Sequence, residues 1–300
     1  MGEVDTVVVG VENERFPRSR NFLRSLNLGL MDLCFPPTCV FCHGVMGAGA
    51  GFQRNSAGPF SPASGLCLEC RRLITQTAIP YSCLRCGRQI PSFLKAGKLI
   101  PGEGVTGSNE VLSAVDLGGE LCGECEQKSG AIDRVFVLGM YREVLREAVV
   151  TYKRMRYLPL AANLGDLLGL KIRESFDARA IGAVTYVPSH WTRRLRRGGV
   201  PTLEMAQRVA RVLDRPFVPL LKCLRRTEKQ GMLTDKQRRT NVRGAFVARK
   251  GYALRERRIL VVDDVWTTGS TLLEAAEQLS QGYDAEVFAA VIARAVGTHT

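Results

Sequence analysis

Two adjacent carboxylates followed by a run of small hydroxyl side chains are the densest chemistry in this sequence. The stretch is Ile259-Leu260-Val261-Val262-Asp263-Asp264-Val265-Trp266-Thr267-Thr268-Gly269-Ser270-Thr271, and Leu272 to Leu279 after it has helical composition. An apolar run, a short loop and a helical pattern read as a buried strand, a binding loop and a helix start. Where a strand of an open α/β sheet gives way to a helix, loop amides and the helix N-terminus together make an anion site. Thr267, Thr268, Ser270 and Thr271 add hydroxyl donors, and Gly269 lets the backbone curl closely around a phosphate. Asp263 and Asp264 repel a bare phosphate but suit sugar hydroxyls. The ligand implied carries a diol and a phosphate on one small frame, a ribose 5-phosphate.

Other readings of an acidic strand end fit less well. A Walker B strand needs a G-x-x-x-x-G-K-[ST] partner, which this sequence lacks. A receiver-domain acidic pair opens its domain, whereas Asp263 lies late in the chain. A buried strand followed by a capped helix accounts for the apolar run and one Thr or Asp, but not for both carboxylates and the small loop residues together.

A second chemistry lies upstream. Of ten cysteines, eight form four C-x-x-C pairs: Cys39 with Cys42, Cys67 with Cys70, Cys83 with Cys86, and Cys122 with Cys125. Each pair can make a knuckle that turns two thiolates toward one ion, and two knuckles complete a tetrahedral zinc site. Four knuckles imply two structural zincs. A single C-x-x-C fits a redox site as well, but four without a surrounding βαβ pattern favour metal. Sequential pairing, Cys39, Cys42, Cys67 and Cys70 on one ion and Cys83, Cys86, Cys122 and Cys125 on the other, closes the shortest loops. Gly44 and Gly87 suit tight knuckle turns. His43 reads as a neighbour of the first site, and Cys34 and Cys223 as small buried apolar residues.

These groups need a scaffold, and the pattern supplies one. Phe22 to Leu33 is amphipathic and is expected to pack as a helix on the first ribbon, ended by Pro36 and Pro37. Val45 to Gly65 and Ala96 to Gly119 are Gly- and Ser-rich, and the G-x-G-x-G at Gly47, Gly49 and Gly51 reads as a loop. From Ala131 strands alternate with helices. Arg134 to Met140, Ala180 to Val187, Arg258 to Val262 and Ala285 to Ala293 read as strands. Arg142 to Met155, Leu160 to Arg173 and Thr202 to Leu213 read as helices, and Arg239 to Ala248 as one arm of a hairpin. The fold class expected is α/β, a mainly parallel sheet with helices on both faces, preceded by a small cysteine-rich double zinc ribbon. The domains expected are residues 22–130, helix and ribbons, and 131–300, the sheet.

The net charge of +13 favours polyanions, and the excess is clustered at Arg193 to Arg197, Arg225 to Lys229, Lys236 to Arg243 and Arg255 to Arg258. Nucleic acid, above all single-stranded DNA, is the partner such clusters suit, because neutralised phosphates release counterions. No run of 18 apolar residues occurs, so no membrane span is expected. The acidic start, Met1 to Asp5, and the short Val7 to Val9 run do not read as a secretory signal, so a cytoplasmic location with reduced thiols is expected.

The segment around Asp263 resembles the phosphoribosyl pyrophosphate motif of type I phosphoribosyltransferases. From about Leu33 to Ala295 the chain resembles the ComF family, whose members accompany DNA uptake and natural transformation, or competence, in bacteria. The likeness is carried by the four knuckles, Pro36-Pro37, Lys153 before Leu160-Ala161, Val187-Pro188-Ser189-His190 and Arg197-Gly198. Gln230 to Leu233 and Arg238 to Phe246, with Asn241, Gly244 and Ala245, extend it. The resemblance implies that Asp263 and Asp264 are the catalytic pair on the 2- and 3-hydroxyls and that Thr267, Thr268, Gly269, Ser270 and Thr271 grip the 5-phosphate. It places Pro188, Ser189, His190 and Lys153 on the pyrophosphate side, and Lys229, Arg238 and Arg239 near a closing loop. Magnesium would accompany catalysis, held mainly by pyrophosphate and sugar oxygens.

Partners implied are phosphoribosyl pyrophosphate or a similar ribose phosphate, single-stranded DNA, and a DNA-uptake helicase or recombination proteins. Two departures bear on activity. Gly199-Val200-Pro201 stands where the family usually has an aromatic residue, Asn and Gln, and Arg154-Met155-Arg156-Tyr157 where it has an aromatic and glycines. Two functions remain in view. One is a DNA-uptake or processing protein with a phosphoribosyl pyrophosphate-type site. The other is an active phosphoribosyltransferase, a glycosyltransferase acting on a nitrogen acceptor that the sequence does not identify.

Overall fold

The computed structural model describes residues 36–46, 65–90, 120–127, 130–155, 157–189, 200–225, 235–252, 254 and 256–295. The expected helix at Phe22 to Leu33, Cys34, His190, Arg193 to Arg197, Lys229 and Gln230 to Leu233 lie outside these residues.

Apolar runs become strands buried on both sides. β1 (Arg134–Met140), β2 (Ala183–Tyr186), β5 (Arg258–Trp266) and β6 (Glu286–Arg294) form one sheet in the order β1-β6-β5-β2. All three pairings are parallel. A short antiparallel pair, β3 (Leu221–Cys223) and β4 (Phe246–Ala248), stands apart. The helices are α1 (Leu68–Thr75) and α2 (Gly123–Glu126) in the cysteine-rich part. In the sheet part they are α3 (Glu143–Met155), α4 (Leu158–Ser175), α5 (Pro201–Leu213), α6 (Asp235–Val242) and α7 (Ser270–Tyr283).

Alternation along the strands divides the interior into two layers. Leu260 and Val262 of β5, with Phe288, Ala290 and Ile292 of β6, pack against α3, α4 and α5 through residues such as Leu145, Leu164 and Val209. Ile259 and Val261, with Val287, Ala289 and Val291, pack on the other face against Leu272, Ala275, Ala276 and Leu279 of α7. This is the expected mainly parallel sheet with helices on both faces. Each fully buried aliphatic side chain contributes about 1.5–3 kcal/mol, so these layers, rather than intrinsic propensity, hold the helices in place. A Cβ on Gly165 would lie 2.8 Å from the Met205 carbonyl, and one on Gly169 2.8 Å from Val212 Cβ. The two glycines let α4 approach α5 closely, and the Asp166 and Arg208 side chains clamp the pair at 2.8 and 2.5 Å.

The cysteine-rich segments dock on opposite faces of the sheet. Cys39, Met46, Leu66, Cys70 and Ile74 join the layer of α3, α4 and α5. Ile79 belongs to the α7 layer and Cys86 packs against it. The backbone ties are the Val135 amide to the Leu84 carbonyl at 2.6 Å and the Met140 amide to the Thr77 carbonyl at 2.8 Å.

β2 covers only Ala183–Tyr186 of the expected 180–187, and α4 extends past the expected 160–173 at both ends. Two other boundaries differ more. β5 does not stop at Val262 but runs to Trp266, because its register with β6 continues through Asp263↔Val291, Val265↔Ala293 and Trp266↔Arg294. Residues 239–242, expected in a hairpin arm, belong to α6, and the strand proper covers only Phe246–Ala248. Cys223, expected to be buried, is half-buried, and its thiol donates to the Arg225 carbonyl at 3.2 Å.

Candidate functional site

Parallel pairing brings the carboxyl ends of β2 and β5 side by side. Tyr186 is the register partner of Val262, and the Val187 amide donates to the Val262 carbonyl at 3.0 Å. The chain therefore leaves β2 at Pro188 and Ser189 beside the strand that carries Asp263 and Asp264. Pro188 is buried and Ser189 half-buried.

Asp263 and Asp264 are half-buried within the end of β5. Side chains alternate along a strand, and Asp264 meets α3, where Lys153 Nζ lies 2.8 Å from its Oδ2. Burial alone would lower the Lys153 pKa, but the Asp264 carboxylate outweighs it and the ammonium is held above its ordinary value. At Asp263 burial is not outweighed. Burial first, then the neighbouring Asp264 charge, push its pKa from 3.8 up to about 7, against the pull of the Asp264 amide and Lys153. One carboxylate is thus paired and the other poised near neutrality. Tyr152, fully buried next to Lys153, has a hydroxyl with no hydrogen bond of ordinary length. Burial, then the Asp264 and Asp263 charges, hold its ionisation well above 10.0, so it stays a neutral donor beside the acidic pair. The sequence does not single out Tyr152, because its burial beside the acidic pair depends on how α3 packs against β5.

The loop after β5 is tightly built. Gly269 caps α7 with φ +80°, and a Cβ there would lie 2.7 Å from atoms of the Trp266 indole. Both the left-handed backbone and the ring beneath it require glycine. The Thr268 and Ser270 hydroxyls are 2.9 Å apart, and the Leu273 amide donates to the Gly269 carbonyl at 2.8 Å. Thr267, Thr268 and Thr271 are half-buried and Ser270 buried. Thr267 to Thr271 are thus gathered at the N-terminus of α7, next to the acidic pair.

The cysteines gather into two tetrads, Cys39, Cys42, Cys67, Cys70 and Cys83, Cys86, Cys122, Cys125, with all sulfurs of a tetrad within 4.8 Å of one another. This is the sequential grouping. Sulfurs held tetrahedrally about 2.3 Å from an ion lie about 3.8 Å apart. The Cys42 and Cys67 sulfurs are 3.9 Å apart and those of Cys86 and Cys122 are 3.8 Å apart. Those spacings fit a shared ion and are far beyond a disulfide bond. Backbone amides of Phe41 and Cys67 point at Cys39 Sγ, and that of Cys122 at Cys83 Sγ. Within the second tetrad the thiols pull apart. The hydrogen bond from Cys86 brings Cys83 down to about 4, and burial pushes Cys125 up to about 12. Such crowding suits thiolates neutralised by a cation, so both tetrads fit a metal ion. His43 is exposed and outside the first tetrad.

Known proteins match this arrangement. Residues 195–298 match the model of the phosphoribosyl transferase domain. Competence protein F of Haemophilus influenzae is 30% identical over 218 residues, covering 71% of this chain and 90% of that protein. This chain belongs to the ComF family. The DNA utilization protein YhgH of Escherichia coli is 30% identical over 162 residues, covering 53% of this chain and 70% of that protein. Its counterpart in Shigella flexneri is 29% identical over the same length. The two tetrads fit the double zinc ribbon of a ComF protein. Among the described residues no helix is long and apolar enough to cross a membrane.

Proposed function

We propose that this ComF protein acts in DNA uptake or processing, natural transformation included, and that it binds phosphoribosyl pyrophosphate or a similar ribose phosphate. The observation that carries the reading is the convergence of Asp263 and Asp264, the Thr267–Thr271 loop and the Pro188–Ser189 exit at adjoining strand ends. Carboxylates are strong acceptors for the ribose 2- and 3-hydroxyls. Loop amides and hydroxyls at a helix N-terminus suit the 5-phosphate. Lys153 supplies positive charge for the pyrophosphate, and the backbone amides of Ser189 and of His190, the latter outside the described residues, are further donors to it.

In this reading both tetrads hold structural zinc, residues 22–130 and 131–300 form the two domains, and the protein works in the cytoplasm. Single-stranded DNA is the macromolecular partner, alongside a helicase or recombination protein of DNA uptake. Support for DNA comes from the net charge of +13 and from the β3–β4 pair with its flanking residues, where Lys222, Arg225, Arg243, Arg249, Lys250 and Tyr252 are exposed. Names of relatives point the same way: competence for one and DNA utilization for another.

The second reading is phosphoribosyl transfer to a nitrogen acceptor, favoured by the phosphoribosyl transferase domain match over residues 195–298. Magnesium would then be held mainly by ligand oxygens. Gly199-Val200-Pro201 leans against it. Calorimetry on one sample separates the readings: heat with both phosphoribosyl pyrophosphate and a single-stranded oligonucleotide supports the first. Heat with phosphoribosyl pyrophosphate alone favours the enzyme. No heat with phosphoribosyl pyrophosphate contradicts both.

A further inference from the structure

We infer that Arg294 is a positioning residue that ties the second cysteine tetrad to the phosphate loop, so that metal in that tetrad sets the geometry of the loop. The inference rests on the ribose-phosphate reading of Thr267–Thr271 for its binding consequence, though not for the mechanical link itself.

Arg294 closes β6 and is only 7% exposed. Its Nε donates to the Cys86 carbonyl at 2.9 Å, and its Nη1 to the carbonyls of Trp266 at 3.1 Å and Thr267 at 2.7 Å, with a further bond to Ala295. One rigid guanidinium therefore joins a knuckle cysteine to the first residue of the loop. Arginine suits this task because its donors diverge from a planar, fixed frame.

Direction follows from peptide geometry. In a trans peptide the C=O and the next N–H point in opposite senses. Holding the Thr267 carbonyl toward Arg294 aims the Thr268 amide away from it, and holding the Trp266 carbonyl does the same for the Thr267 amide. Those are amides an anion-binding loop must present. The guanidinium also sits 5.9 Å from the Trp266 ring centroid, the ring on which Gly269 rests. Backbone and ring are thus braced from the same point.

The link to metal is electrostatic as well as mechanical. A buried guanidinium bonded only to neutral carbonyls is costly unless negative charge lies nearby. Four thiolates around a divalent ion leave a net negative site, and Cys86 belongs to that site. A metal-bound tetrad thereby fixes the Cys86 carbonyl and favours the cation beside it.

The test uses full-length, metal-loaded protein carrying Trp191→Phe, which leaves Trp266 as the single tryptophan. Extracting metal with a chelator should shift Trp266 emission in this parent. Adding Arg294→Gln should produce the shifted emission from the start and abolish further change on extraction. Phosphoribosyl pyrophosphate affinity should fall about tenfold in Arg294→Gln, the scale of leaving buried acceptors unpaired. Arg294→Lys keeps the charge but cannot span both sides. It should retain both metals and still bind phosphoribosyl pyrophosphate more weakly than the parent, which guards against a folding defect in the Gln variant. Unchanged Trp266 emission on extraction of the parent, an equal shift in Arg294→Gln, or full affinity in Arg294→Lys would overturn the inference. If the parent itself binds no phosphoribosyl pyrophosphate, the ribose-phosphate reading fails, and the emission arm alone decides the coupling.

Discussion

Asp263 and Asp264 are neighbours in sequence with different surroundings, because a strand sends them in different directions. Asp264 reaches Lys153 at 2.8 Å, while Asp263 is raised by burial and by Asp264 to about 7. A carboxyl whose folded pKa exceeds its unfolded value binds its proton more tightly when folded. Its stabilising contribution is complete below the ordinary value of 3.8 and is lost as pH rises toward about 7. Asp263→Asn removes this dependence. Its melting temperature relative to wild type should therefore climb between pH 4 and pH 8, and a constant difference across that range would show that Asp263 titrates normally. Residue types were legible in the sequence: acidic pair, hydroxyls, glycine and paired cysteines. The Lys153 contact, the buried Tyr152 hydroxyl and the reach of Arg294 were not, since each depends on which distant element is brought alongside.

At the scale of elements, the strands of the main sheet were readable because burial on both faces leaves continuous apolar runs. β1 falls on the expected residues 134–140. The end of β5 was less readable, since its last part carries carboxylates that hydrophobicity does not mark, yet β6 continues to pair with it. Helix α6 was missed because DKQRRTNV is polar up to its last residue, Val242, and shows no apolar stripe. C-x-x-C spacing announced knuckles, and loop-closure entropy picked the grouping that the sulfurs display. Zinc in such sites contributes on the order of 10 kcal/mol that is also folding free energy. Elemental analysis of purified protein should find close to two zincs per chain. Cys83→Ser with Cys122→Ser should leave one and lower the melting temperature. Fewer than about one zinc in the wild type would contradict the proposal.

The whole molecule places ribbons on both faces of one sheet, each sharing a buried layer with it. Composition conveyed the two parts of the chain, but not how closely they pack, because knuckle residues such as Ile74 and Ile79 look alike whether they bury inside a ribbon or against a strand. The charge of +13 belongs to this scale too. If it tracks a DNA backbone, the logarithm of affinity for single strands should fall with the logarithm of salt at about −0.7 per phosphate neutralised, with little dependence on base sequence. Replacing Arg225, Arg243 and Arg249 by Ser should flatten that slope without changing zinc content. A slope near zero in the wild type would contradict binding through the DNA backbone.

If the acidic pair at the end of β5 holds a ribose, both carboxylates contribute to phosphoribosyl pyrophosphate affinity. Calorimetric titration of phosphoribosyl pyrophosphate into wild type and into the Asp263→Asn, Asp264→Asn double variant tests it most directly. The variant should fold, keep its metal and bind more weakly by roughly 1–3 kcal/mol, the scale of hydrogen bonds to charged groups. Equal affinity in the two proteins would contradict it.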